Sequence, residues 1–170
     1  MMSSELRKFQ DLDLVLICGL PCAGKSHFAN VHFKESGRKR INRKEIRRLL
    51  YEMMHFGEKW SEDFFSEADE FLVKHVERKI IEHLLQDKRT VLIDNASVSA
   101  SSRKGYIGIA KQMKKSAGVV FLNVPLLKCL QRNSKRPNHV PDRIVSNLSA
   151  AIDIPVKAEG FKEVLVIEDY

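Results

Sequence analysis

Gly19-Leu20-Pro21-Cys22-Ala23-Gly24-Lys25-Ser26 fits the phosphate-loop pattern G-x-x-x-x-G-K-[ST] in full. Glycines in such a loop let the backbone curl until successive N–H groups converge on a phosphate chain, and the positive end of the following helix adds to the attraction. Lys25 is expected to bridge the outer phosphates of a nucleoside triphosphate and Ser26 to hold Mg²⁺ through its hydroxyl, so every position of the stretch is a candidate nucleotide contact. The motif requires a strand before it and a helix after it. Both flanks comply: residues 12–18 form a short apolar run of β type, and residues 25–34 can form a helix. The expected fold is α/β: a P-loop sheet of four or five mostly parallel strands with helices on both faces.

At 170 residues the chain has the length of one ordinary domain, able to bury a core without staples. Its three cysteines, Cys18, Cys22 and Cys129, are odd in number and scattered, which argues against a disulfide framework and for a reducing, cytoplasmic setting. Residues 1–10 are polar without the apolar core of a signal peptide, and no later run approaches the length of a membrane span. A net charge of +7 suits a polyanionic partner but is also what a site for ATP alone would use.

Outward from the loop, Gly37 is a plausible helix stop, and residues 38–48 are the most basic stretch in the chain. A short second strand over 40–42 would carry Arg43, Lys44, Glu45 and Arg47 to the carboxyl rim of the sheet, where basic side chains can grip phosphates. Residues 45–54 read as a short helix, and 61–86 as a long one with Phe64, Ala68, Phe71, Leu72, Val76, Ile80 and Leu84 on its apolar stripe. On that reading the aromatic rings are core, the alternative being that Phe64 or Phe65 stacks on a base. Ser61 is the expected cap of that helix. Trp60 is either a surface contact or a core plug.

Residues 90–94 form a buried-type strand ending in Asp94, placed to orient Mg²⁺ or its waters across the crevice from the phosphate loop. After a hydroxyl-rich loop, Arg103 opens the helix expected over 103–115. A strand over 117–123 and a helix from Pro125 follow. The latter ends in Arg132 and Arg136, four apart on one face, where they can clamp phosphates as the arginines of a lid. A helix over 142–152 and a strand over 163–167 complete the chain.

Together these residues resemble the 5′-kinase domain of bacteriophage and bacterial polynucleotide kinases over about residues 13–168. The resemblance rests on the phosphate loop, the Ile41-Asn42-Arg43-x-x-x-Arg47 segment, the Asp94 strand end with Arg103 downstream, and Arg132-Asn133-Ser134-Lys135-Arg136 with a proline-opened helix at Pro141. It implies transfer of the ATP γ-phosphate to the 5′-hydroxyl of DNA or RNA, with ATP and Mg²⁺ as cofactors. By the same resemblance, Lys25 and Ser26 bind phosphate and metal, and Arg132 and Arg136 are lid residues on ATP. Asn42, Arg43, Lys44, Arg47 and Arg103 lie toward the acceptor, with Arg47 on its phosphate. A separate repair phosphatase or ligase is an implied partner. At one position the chain departs: where the family has the aspartate that takes the hydroxyl proton, this chain has Lys44, followed by Glu45. A charged ammonium cannot accept that proton. Glu45 or Asp94 then substitutes as base, or the enzyme is slow, or the chain binds nucleotide and nucleic acid without catalysis. A P-loop kinase acting on a small metabolite or nucleoside is the remaining alternative.

Overall fold

The computed structural model describes residues 4–170; of the polar 1–10 segment, residues 1–3 lie outside the described residues. Five strands form one sheet: β1 (Leu14–Gly19), β2 (Lys39–Ile41), β3 (Val91–Asp94), β4 (Ala117–Asn123) and β5 (Glu163–Glu168). Their order is β2-β3-β1-β4-β5 and every pairing is parallel. Parallel neighbours need crossovers, which the helices supply: α1 (Ser4–Arg7), α2 (Lys25–Phe33), α3 (Arg43–Met54), α4 (Glu67–Gln86), α5 (Ala100–Gln112), α6 (Leu126–Ser134) and α7 (Asp142–Ala150).

Helices cover both faces of the sheet, so β1, β3 and β4 read as nearly continuous apolar runs. Alternate side chains feed two cores. Val15, Ile17, Leu92, Val120 and Leu122 meet Phe28, Phe33, Cys129 and Val145 from α2, α6 and α7. Leu14, Leu16, Ile93, Val119 and Phe121 meet Ile81, Leu85, Ile107 and Ile109 from α4 and α5. The N-terminal segment, polar by composition, still sends Leu6, Phe9 and Leu12 into the first core.

Three local expectations need correction. The helix expected over 61–86 is broken: Ser61 caps a 3-10 turn, Glu62–Phe64, the chain then runs extended, and Ser66 caps α4 by accepting from the Asp69 N–H at 3.1 Å. Its buried stripe is therefore Val73, Glu77, Ile81 and Leu85, while Phe64, Phe71 and Leu72 stand exposed. The helix expected from Arg103 begins at Ala100, because Ser99 accepts from the Ser102 N–H and forms a capping box. Helix α3 begins at Arg43 because the Asn42 side chain accepts from the Glu45 N–H at 3.0 Å.

Candidate active site

β1 ends in the phosphate loop at the centre of the sheet, where strand order turns back on itself, and the crevice at the strands' carboxyl ends opens beside it. The backbone geometry there explains the residue types. Gly24 precedes α2 at φ 100° and ψ 11°, a left-handed conformation that glycine adopts without strain. A Cβ on Gly24 would also lie 2.9 Å from the Tyr170 ring. Leu20 and Ala23 are buried and hold the loop to the core, with Pro21 at its partly exposed tip. Cys22, at φ 65°, is buried as well, and its thiol faces Asn133 Oδ1 at 3.6 Å.

Lys25 Nζ donates to the loop's own carbonyls, Gly19 O at 3.0 Å and Leu20 O at 2.8 Å. Desolvation pushes its pKa below the ordinary lysine value, with the Asp94 carboxylate pulling the other way. The neighbouring Ser26 hydroxyl donates to Asp94 Oδ2 at 2.8 Å.

Asp94, at the end of β3, organises the crevice. Its Oδ2 also accepts from Arg40 Nε at 3.0 Å and Nη2 at 2.7 Å, while its Oδ1 is buried without a hydrogen-bond partner. Three donors crowd one oxygen and none reaches the other. A buried carboxylate oxygen left in that state, beside a serine hydroxyl, fits a hard cation that takes oxygen ligands and keeps several waters. Ser26 and Asp94 are the residues that would hold Mg²⁺.

Arg40 extends the constellation. Its Nη1 donates to Glu45 Oε1 at 2.9 Å, so one guanidinium joins two carboxylates contributed by β3 and α3. Desolvation opposes its charge, but bonds to Asp94 and Glu45 prevail and raise its pKa above the ordinary arginine value. Asn42 adds a bond from its Nδ2 to Asp94 O at 2.7 Å. Ser26, Arg40, Asn42, Lys44 and Glu45 line a cavity of ≈ 450 Å³ whose far wall includes Trp60, Glu62, Pro137 and His139.

The other expected acceptor contacts divide. Lys44 Nζ donates to Glu62 Oε1 at 2.7 Å and lies 5.9 Å from the Trp60 ring centroid. Arg47 donates from Nε to Glu70 Oε2 at 2.8 Å, between the rings of Trp60 and Phe65. Arg43 donates from Nε and Nη2 to Glu77 Oε2 at 2.9 and 2.6 Å, and from Nη2 to the Tyr106 hydroxyl at 2.8 Å. Asn95 completes that cluster, donating from Nδ2 to Glu77 Oε1 at 2.6 Å and to the Tyr106 hydroxyl at 2.8 Å. Arg43 thereby anchors the start of α3. Arg103 requires correction as an acceptor contact: it is 0% exposed and donates to Glu159 at 2.9 and 2.7 Å and to the carbonyls of Ser97 and Val98. A guanidinium so enclosed has nothing left to offer a ligand.

On the opposite wall, Arg132 donates from Nη1 to Cys22 O at 3.3 Å and Ala23 O at 3.4 Å, and from Nη2 to Tyr170 O at 2.9 Å. It rests directly on the phosphate loop. Arg136 lies exposed just beyond α6. Between them Asn133 is fully buried, donating from Nδ2 to Val140 O and Asp142 Oδ1, so that α6, the start of α7 and the phosphate loop share one hub.

Sequence reasoning missed Arg40, Glu77 and Asn133 as organising residues. Arg40 carried a usable signal: a cation at the end of a short strand aimed at a rim where an acid was already expected. Glu77 carried none, since its partner Arg43 is 34 residues away.

The chain resembles known proteins in sequence and in fold. A family model described as an AAA domain, AAA_33, matches residues 14–154. The chain belongs to this family. It is a P-loop kinase domain. Among curated proteins it is similar to an L-seryl-tRNA(Sec) kinase of Methanococcus maripaludis, 26% identical over 143 residues. That match takes in 84% of this chain but 53% of the relative, so the chain spans about half the relative's length. Among solved structures, a chain of the Pnkp1/Rnl/Hen1 RNA repair complex superposes with a TM-score of 0.65 at 20% identity, over 81% of this chain and 43% of that one. A sugar kinase from a Janibacter species also gives 0.65, at 13% identity, over 92% and 85% of the two chains. These two likenesses show the fold. Among the described residues, no helix is long and apolar enough to cross a membrane.

Proposed function

We propose that this kinase domain transfers the γ-phosphate of ATP to a hydroxyl at the end of a nucleic acid, the 5′-hydroxyl of DNA or RNA being the leading acceptor. The observation that carries the proposal is Glu45, which lines the ≈ 450 Å³ cavity and is tied through Arg40 to Asp94 and Ser26. Lys44 fills the position where the resembled family has its aspartate, and Glu45, one residue later, restores a carboxylate to the wall.

The transfer makes a bond from the acceptor oxygen to the γ-phosphorus and breaks the bond from that phosphorus to the β,γ-bridging oxygen, with ADP leaving on the electron pair. Glu45, or Asp94 in its stead, takes the hydroxyl proton. Lys25 exchanges the loop carbonyls for phosphate oxygens, and Arg132 and Arg136 neutralise the triphosphate from the lid side. When bound, Mg²⁺ supplies charge neutralisation across the phosphates, held by Ser26 and Asp94. Arg40 stays cationic and fixes both carboxylates. Arg48 and Lys44 add positive charge to the cavity wall, as a phosphate-bearing acceptor requires.

The likeness to a seryl-tRNA kinase favours a second acceptor, a hydroxyl on an amino acid esterified to tRNA. The RNA repair likeness supports the first, and with it a separate enzyme that processes or seals the same ends. An acceptor panel separates them. Label from γ-labelled Mg-ATP should pass to a 5′-hydroxyl oligonucleotide and not to the same strand bearing a 5′-phosphate. Label on seryl-tRNA alone establishes the second acceptor, and label on a free sugar alone refutes the nucleic-acid proposal.

A further inference from the structure

The break in the helix expected over 61–86 leaves two rings exposed, at the end of the 3-10 turn and just after it. Phe64 and Phe65 are 43% and 49% exposed. The Tyr51 ring is stacked between His55, at 4.0 Å and 18°, and Phe64, at 5.2 Å and 6°. Tyr51 comes from the last turn of α3, His55 caps that helix, and Phe64 comes from the 3-10 turn. The three rings form a nearly parallel column whose two ends, His55 and Phe64, are open to solvent. Beside it the Arg47 guanidinium lies 5.8 Å from the Trp60 ring centroid and 5.4 Å from that of Phe65, and is held by Glu70.

Position and charge say what such a surface takes. Trp60 borders both this cleft and the acceptor cavity, so the two adjoin at that residue. The cleft itself has no cationic excess: Arg47, its one cation, is paired with Glu70, and Asp69 adds negative charge. A surface that gripped a phosphate backbone would need unpaired cations. What this one offers is flat ring area, and every nucleobase has a face that can use it.

We propose that the His55–Tyr51–Phe64 column, with Trp60 and Arg47 beside it, is a stacking platform for an unpaired nucleobase of the acceptor strand, just beyond the end held in the cavity. This inference rests on the nucleic-acid acceptor proposed above and adds how a strand, as distinct from a single nucleotide, is recognised.

Trp60 is the only tryptophan in the chain, so its fluorescence reports the site directly. The full chain is titrated with a short 5′-hydroxyl oligothymidylate and with a strand of equal length whose residues are abasic beyond the 5′ nucleotide. The base-bearing strand should quench Trp60 and bind about tenfold tighter. Phe64→Leu and, separately, His55→Ala should each erase most of that advantage and raise the KM for oligonucleotide more than they change kcat, with abasic-strand affinity unmoved. Equal affinity for the two strands, or substitutions that weaken both alike, overturns the platform and leaves the exposed face to a protein contact. If neither strand binds or accepts phosphate, the acceptor proposal fails, and the platform with it.

Discussion

Asp94 is the residue on which the site turns, because its two oxygens are so unequally treated. Oδ2 accepts from Ser26 and twice from Arg40, while Oδ1 is buried and unpartnered. Asp94→Asn keeps the volume but removes the charge that Arg40 and a metal both need. We expect phosphoryl transfer to fall about a hundredfold or more, checked by steady-state kinetics beside a thermal melt showing an intact fold. Glu77 acts differently, since its four bonds are internal to the cluster of Arg43, Asn95 and Tyr106. Glu77→Ala strands the Arg43 guanidinium in a largely buried place, and denaturant unfolding should show a loss of about 3–5 kcal/mol. The contrast explains what could be read from sequence at this scale. Lys25, Ser26 and Asp94 were legible because a contiguous motif and a strand end fix their geometry. Glu77 was not, because an acid on a charged helix looks solvated until the distant arginine is placed beside it.

Among the elements, β4 meets the N-terminal segment so closely that a side chain on Gly118 would displace its neighbours. A Cβ on Gly118 would lie 2.5 Å from Leu12 Cδ1 and 2.9 Å from Phe9 Cε1. Gly118→Val should cost about 1–3 kcal/mol through overpacking, read as a lowered denaturation midpoint at unchanged m-value. The starts of β1 and β4 are also tied by Asp13, whose Oδ2 accepts from the Ser116 N–H and hydroxyl, both at 2.8 Å. Desolvation raises the pKa of this carboxyl, but those bonds and nearby Lys115 outweigh it and hold the value below the ordinary 3.8. The group is depressed in the folded state, so the stability it contributes is complete above the ordinary value and is lost as pH falls toward the folded one. Melts between pH 6 and pH 2 should show Asp13→Asn losing stability less steeply in acid than the parent. From β1 onward, strand and helix order was legible from apolar runs and glycine stops, whereas α1, in a segment polar by composition, was not. The helix start near residue 61 was not: Ser61 and Ser66 are each followed by acids, both cap, and only tertiary packing decides which opens the long helix.

At the scale of the whole molecule, the order β2-β3-β1-β4-β5 brings the phosphate loop, the ends of β2 and β3, and α6 around one crevice. That convergence explains why residues as far apart as Ser26, Asp94 and Arg132 could be proposed for one site from sequence. It also limits what sequence could give: the fold is shared with a chain of an RNA repair complex and with a sugar kinase, so topology does not name the acceptor. The most direct measurement is transfer of label from γ-labelled Mg-ATP to a 5′-hydroxyl oligonucleotide by the parent chain, with Lys25→Ala and Lys44→Asp beside it. The account predicts transfer by the parent, its loss in Lys25→Ala, and retention in Lys44→Asp. A parent that binds ATP yet transfers nothing, with activity appearing only in Lys44→Asp, would contradict it and make the chain a nucleotide-binding relative without a base.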